Sequence, residues 1–313
     1  MIFELVVLIV GLIGLWLGSE FTIKGAKNIA SHFGITTTFI GLTLLSVGTS
    51  IPEIAVSVAG AVDRIAGTET SGIVVGSTVG SAMNQLTLII GIVALFTTIA
   101  VKRRIVWREG IMLLGSVGLL AIMGADGTFS IRDGAIMILV YGFYIMSLAR
   151  EERIKTAGRR PALELVTDSF YLAGGLLLVI FSSESVVSSS ISFAESWGVT
   201  QTFVGIFLVG LGTGLPELAV SVSALRNKET EMSVANLIGS NICDLLFSLG
   251  VGTMVSGFLV PARTLTFDLP ALFLISVFVV YLFRTGLKIN RREGIILLSV
   301  YIAYLATRLW LFG

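Results

Sequence analysis

Three carboxylates, Glu53, Glu217 and Asp244, lie deep inside apolar stretches long enough to cross a bilayer. Ionisable groups at that depth are costly and mark ion pathways. No basic residue lies near them in sequence at similar depth, so each must be protonated, hydrated in a cavity or bound to a cation. Two of them follow a proline. Gly48-Thr49-Ser50-Ile51-Pro52-Glu53 returns in the second half of the chain as Gly212-Thr213-Gly214-Leu215-Pro216-Glu217. Proline has no backbone N–H, so the carbonyls of Gly48 and Gly212 lose their helical partner. At membrane depth such a carbonyl is tolerated where it lines a polar cavity or binds something. Freed carbonyls beside carboxylates suit a hard cation such as sodium or calcium. An ordinary kink explains one such proline about as well; two at matched positions beside glutamates argue for an ion site.

Helical spacing sets further oxygens beside these carboxylates. Ser46, Thr49, Ser50 and Glu53 follow i, i+3, i+4, i+7 on one face. The matching stripe has Thr213 with Glu217, where Gly210 and Gly214 offer backbone only. Ser77, Ser81 and Gln85 are four apart, and Asn236, Ser240 and Asp244 repeat them at a constant offset in the second half. Hydroxyl, amide, carbonyl and carboxylate oxygens, with no thiolate or imidazole, suit calcium, sodium or protons and argue against zinc or copper. Cys243 reads as a small packing residue, and Gly76, Gly80 and Gly239 as close-packing positions between helices. Glu20 and Glu184, also paired by the repeat, either line an ion pathway or serve the ends of helices.

The elements that must position these groups are membrane spans. Hydrophobic residues make up 55% of the chain and charged ones 13%, half the charged fraction of a soluble domain. One cysteine excludes an internal disulfide and any multi-cysteine metal site. Ten apolar segments of spanning length lie near 2–31, 36–61, 71–99, 105–124, 132–149, 165–195, 200–225, 231–258, 267–284 and 292–311. The first three and the sixth to eighth carry polar residues and form the expected working core. The fourth, fifth, ninth and tenth form an expected lipid-facing layer. With ten spans and external termini, fifteen Lys and Arg fall on the inner side against four on the outer, Lys24 and Lys27 within the first span being uncounted. Phe39–Val58 matches Phe203–Val222 at eleven of twenty positions without a gap. Five spans per half, an odd number, invert the second half, as in secondary transporters with midplane sites. The expected architecture is thus an all-α membrane protein of ten transmembrane helices in two inverted five-helix repeats. Residues 1–150 form the first repeat, 151–164 a cytoplasmic linker and 165–313 the second repeat.

The paired GTSIPE and GTGLPE stretches, each followed by a Gly-Ser helix, resemble the α-repeats of the cation/calcium exchanger superfamily, in particular its prokaryotic sodium/calcium exchanger branch. The resemblance covers essentially all ten spans. It implies four central cation sites framed by the second, third, seventh and eighth helices, past which the first and sixth slide. It also implies that Glu53 and Glu217 bind calcium directly. Thr49, Ser50 and Thr213 match hydroxyl or carbonyl ligands of flanking sodium sites, Ser46 and Gly210 match carbonyl donors, and Ser81, Ser240 and Asp244 match ligand positions of the third and eighth helices. Departures are Gln85 in place of an asparagine or aspartate, Gly214 in place of a serine, and Ser77 where the other half keeps Asn236. The function implied is secondary-active calcium/sodium antiport by alternating access, with calcium/proton exchange on the same fold the alternative and a cation channel a weaker one. No enzyme activity and no cofactor are expected. Calcium, sodium (or protons) and the lipid bilayer are the expected partners, without nucleic acid, for a monomer in the cell membrane with both termini extracellular.

Overall fold

The computed structural model describes residues 2–152, 162–196 and 214–312. Helix dominates them, because apolar runs without water to satisfy the backbone must pair their own N–H and C=O groups. In chain order the helices are α1 (Ile2–Phe33), α2 (Thr37–Ile40), α3 (Ser46–Thr49), α4 (Ile51–Ile65), α5 (Ser71–Asn84), α6 (Ile90–Phe96), α7 (Arg103–Met123) and α8 (Ile131–Glu151). After them come α9 (Ala162–Ser196), α10 (Leu215–Arg226), α11 (Thr230–Ile242), α12 (Leu249–Ser256), α13 (Leu269–Gly286) and α14 (Arg291–Phe312). Several join through π-helical turns: Gly41–Leu45 links α2 to α3, Gln85–Ile89 links α5 to α6, and Cys243–Ser248 links α11 to α12. Among the described residues eight helices are long and apolar enough to cross a membrane. A ninth span results if Thr37–Thr49 and Ile51–Ile65 count as one broken helix. Each expected span contains a described helix. Of the seventh, only α10 lies within the described residues.

The chain divides into two compact units, each drawing on both halves of the sequence. Met1–Thr49 and Arg150–Asn236 form one. Its spine is the long contact of α1 with α9. Glycines permit that closeness: a Cβ on Gly175 would stand 2.5 Å from the Thr22 nitrogen, and one on Gly25 equally near the Leu172 nitrogen. The apolar core of this unit gathers Ile23, Ala26, Leu45, Leu172, Val179 and Val220. At its polar edge Asn28 donates to Asp168 (2.7 Å), Asn227 donates to Glu20 (3.0 Å), and Lys27 pairs with Glu229 (3.2 Å).

Ser50–Ala149 and Leu237–Gly313 form the other unit. Here α4 packs on α12, α6 on α14 and α7 on α13. Two short antiparallel pairs tie its loops: β1 (Ile99–Ala100) with β4 (Lys288–Ile289), in register Ile99↔Ile289, and β2 (Thr128–Phe129) with β3 (Phe258–Leu259), in register Thr128↔Leu259. Gly76 and Gly80, expected to pack against a neighbouring helix, have no atom among the described residues within 4 Å of an added Cβ.

Candidate functional site

Both proline-glutamate motifs sit at the start of a helix. α4 begins after Ser50 (φ −81°, ψ 4°) and α10 after Gly214 (φ −96°, ψ 5°), so the two helix starts share nearly one backbone conformation. In each, proline occupies the first turn, where a missing N–H costs nothing. The carbonyl just before each helix accepts its first bond: Ile54 N–H donates to Ser50 O (3.0 Å) and Leu218 N–H to Gly214 O (2.9 Å). Glu53 and Glu217 thereby stand in the first turn of their helices, where the positive end of the helix dipole favours a carboxylate.

In the second unit a hydrogen-bonded chain of oxygens and amides joins four of the expected residues. Ser81 Oγ donates to Glu53 Oε1 (3.4 Å), and Gln85 Nε2 donates to both Ser81 Oγ (3.2 Å) and Asp244 Oδ2 (2.9 Å). Gln85 is the node. Its Oε1 accepts from Asn241 Nδ2 (2.9 Å), which also donates to Leu237 O (2.9 Å). Gln85, Asn241 and Asp244 are fully buried, whereas Glu53 is only half-buried. Asp244 Oδ1 and Asn241 Oδ1 have no hydrogen-bond partner among the described residues. The Ser50 hydroxyl lies beside Asp244 and Cys243 without a well-directed bond to either. Buried acceptors without donors are costly, and a cation or water satisfies them.

The π turns explain how two spans present these groups. Gln85 opens one and Asp244 lies in the first turn of another, at positions matched by the repeat. A π turn shifts the side chains that follow it around the helix, a feature common at functional sites. No three Asp, Glu, His or Cys side chains among the described residues form a group able to hold a metal ion. The side chains around Asp244 carry amide and hydroxyl groups, whose oxygens suit sodium or calcium better than a transition metal.

The first unit holds most of the remaining described candidates. Glu217 is fully buried on α10. Ser46 Oγ donates to Leu42 O (2.7 Å), and Thr49 Oγ1 donates to Ser46 O (3.4 Å), so both hydroxyls are held against their own helix. Asn236 Nδ2 reaches Ser221 Oγ (3.3 Å). Ser240, in the second unit, is fully buried on α11. Ser77 stays outside the Gln85 network: it is exposed and donates to Val74 O (2.9 Å) in its own helix. Thr213 and Gly210 lie outside the described residues.

Asn241 escaped the sequence reading because its repeat partner is Ala82, so no pairing flagged it. An amide in a buried apolar span was the available signal. The supposedly apolar outer spans also hide acids. Glu109 on α7 is fully buried, accepts a hydrogen bond from Tyr144 of α8 and pairs with Arg108 (2.5 Å). Asp268 accepts from Tyr304 of α14 (2.8 Å) and pairs with Arg308 (3.1 Å). Glu109 and Asp268 are separated by the same offset as Gln85 and Asp244.

Known membrane proteins resemble this chain in sequence and fold. The family model described as sodium/calcium exchanger protein matches residues 3–149 and 169–310. The sodium/calcium exchanger MaX1 of Methanosarcina acetivorans is 29% identical over 96% of both chains. The inner membrane protein YrbG of Escherichia coli is 28% identical over 99% of this chain and 98% of its own. A solved structure of the sodium-calcium exchanger NCX_Mj superposes with a TM-score of 0.84 at 29% identity, covering 97% of this chain and 98% of that one.

Proposed function

The chain belongs to the sodium/calcium exchanger family, a family of membrane transporters and not of enzymes, and we propose that it is a secondary-active antiporter exchanging calcium for sodium by alternating access. The observation that carries this reading is the buried oxygen network centred on Gln85 and Asp244 at matched π turns. Glu53, Glu217 and Asp244 are the carboxylates that bind the transported ion, assisted by Ser46, Thr49, Ser50, Ser77, Ser81, Gln85, Gly210, Thr213, Asn236 and Ser240. Like charges in a low-dielectric site cannot all remain ionised unneutralised. Calcium, sodium and protons therefore compete for the same oxygens, and an empty, charged site resists the passage between its two open states. Exchange is then coupled and leak is suppressed. The frame is ten spans in two inverted repeats, with both termini outside, a short inner linker and a monomeric working unit.

A calcium/proton exchanger is the second reading. Gln85 and Gly214 favour it, since a long amide and a missing hydroxyl alter two positions that the resemblance assigns to sodium ligands. Calcium uptake into vesicles separates the two, with sodium and pH gradients imposed one at a time. Glu53→Gln and Glu217→Gln must abolish uptake under whichever gradient drives it; full activity in either variant refutes the site assignment.

A further inference from the structure

Within the first unit a groove of about 300 Å³ opens between α1 and α10. Its walls are apolar, from Leu12 and Trp16 on one side to Leu218, Ala219 and Val222 on the other. Leu12 and Trp16 are each about half exposed. At the groove's end stands Arg226, exposed at the last turn of α10, its guanidinium 5.9 Å from the Trp16 ring centre. Arg226 forms no ion pair among the described residues, whereas Glu20, one turn beyond Trp16, is already engaged by Asn227. An apolar channel along spanning helices, closed at one end by an unneutralised arginine, matches one chemistry: a hydrocarbon tail attached to an anionic head.

We propose that this groove holds an anionic phospholipid, with an acyl chain along Leu12, Trp16, Ala219 and Val222 and the phosphate on the Arg226 guanidinium. The planar guanidinium presents paired N–H donors that fit phosphate oxygens. Trp16 holds it flat at the groove mouth through cation–π attraction. The tail runs parallel to the helices, as lipid tails run in a bilayer. Leu215 and Leu218, which also line the groove, flank Glu217 in sequence, so the bound chain backs the turn that carries this carboxylate.

The test uses the full-length protein, exchanged into equal phosphatidylglycerol and phosphatidylcholine, and reads retained lipid by native mass spectrometry. The protein is expected to retain phosphatidylglycerol about fivefold over phosphatidylcholine, the preference of one basic side chain at a membrane surface. Arg226→Gln removes that preference and Arg226→Lys keeps most of it. Ala219→Trp fills the groove and lowers retention of both lipids. An unchanged preference in Arg226→Gln overturns the proposal, and so does undiminished retention in a folded Ala219→Trp variant. Should Ala219→Trp fail to fold, Arg226→Gln at the exposed helix end decides alone. A homodimer that forms only when lipid is stripped identifies a second copy as the occupant and also overturns it. Lipid retention is read without transport, so failure here leaves the exchanger reading standing.

Discussion

Replacing Gln85 by glutamate tests the central network at its node. Gln85 Nε2 lies 2.9 Å from Asp244 Oδ2, and both side chains are fully buried. In Gln85→Glu an oxygen takes the place of that nitrogen. Two unit charges at this separation repel by about 6 kcal/mol at an effective dielectric constant of 20, comparable with the whole stability of many folded domains. The pair must therefore take up a proton or a cation. In chelator the variant is expected to melt well below the parent, and calcium is expected to raise its melting temperature by more than it raises the parent's. Gln85→Leu provides the contrast. It removes the donor to Asp244 and the acceptor for Asn241, each worth about 1–3 kcal/mol when a buried partner is left unsatisfied, yet adds no negative charge. Calcium should not rescue it preferentially. Melting curves by tryptophan fluorescence in detergent, with chelator and with calcium, decide the matter. Equal calcium stabilisation of Gln85→Glu and Gln85→Leu refutes the reasoning, because added charge would then have no cation to attract.

Other expectations concern the frame. Tyr144→Phe leaves buried Glu109 without its phenolic donor and should cost about 1–3 kcal/mol, seen as a lower melting temperature with calcium affinity unchanged. Gly175→Ala forces a methyl against the Thr22 backbone and should destabilise by about 1–3 kcal/mol, whereas Gly174→Ala, which meets nothing within 4 Å, should be silent in the same melting assay. Ser71, through its hydroxyl and its backbone N–H, holds the exposed Glu69 carboxyl below the usual range, with Arg64 assisting. A depressed folded value means the contribution is complete above the unfolded pKa and lost as pH falls through the folded one. Amide exchange at Ser71 should therefore show an extra acid-side opening below about pH 4, absent in Glu69→Gln.

Much of this was legible in the residues. The helix starts at the two motifs announced themselves, because proline beside glutamate inside an apolar run has few inexpensive explanations, and α4 and α10 begin directly after Ser50 and Gly214. The four-residue spacing of Ser81 with Gln85 correctly placed both on one face, where a single amide now bonds serine and aspartate. Pairing by repeat register also has a blind side. Asn241 is matched in sequence register to Ala82, so pairing does not mark it, although it supplies the donor that orients Gln85. Glu109 and Asp268 are hidden in the sequence for another reason. Each is near a span end with arginine close in sequence, a pattern that reads as an interfacial ion pair; only the fold brings Tyr144 and Tyr304 to them from the next helix. The π turns are not written in any local propensity. They arise where tertiary packing accommodates one extra residue per turn, and sequence periodicity offers no marker for that.

The most direct measurement is calcium uptake into proteoliposomes that contain sodium and are diluted into sodium-free medium, with pH clamped on both sides. The account predicts calcium accumulation that depends on the outward sodium gradient and disappears in Glu53→Gln and Glu217→Gln. Accumulation indifferent to sodium, or undiminished in either variant, contradicts it.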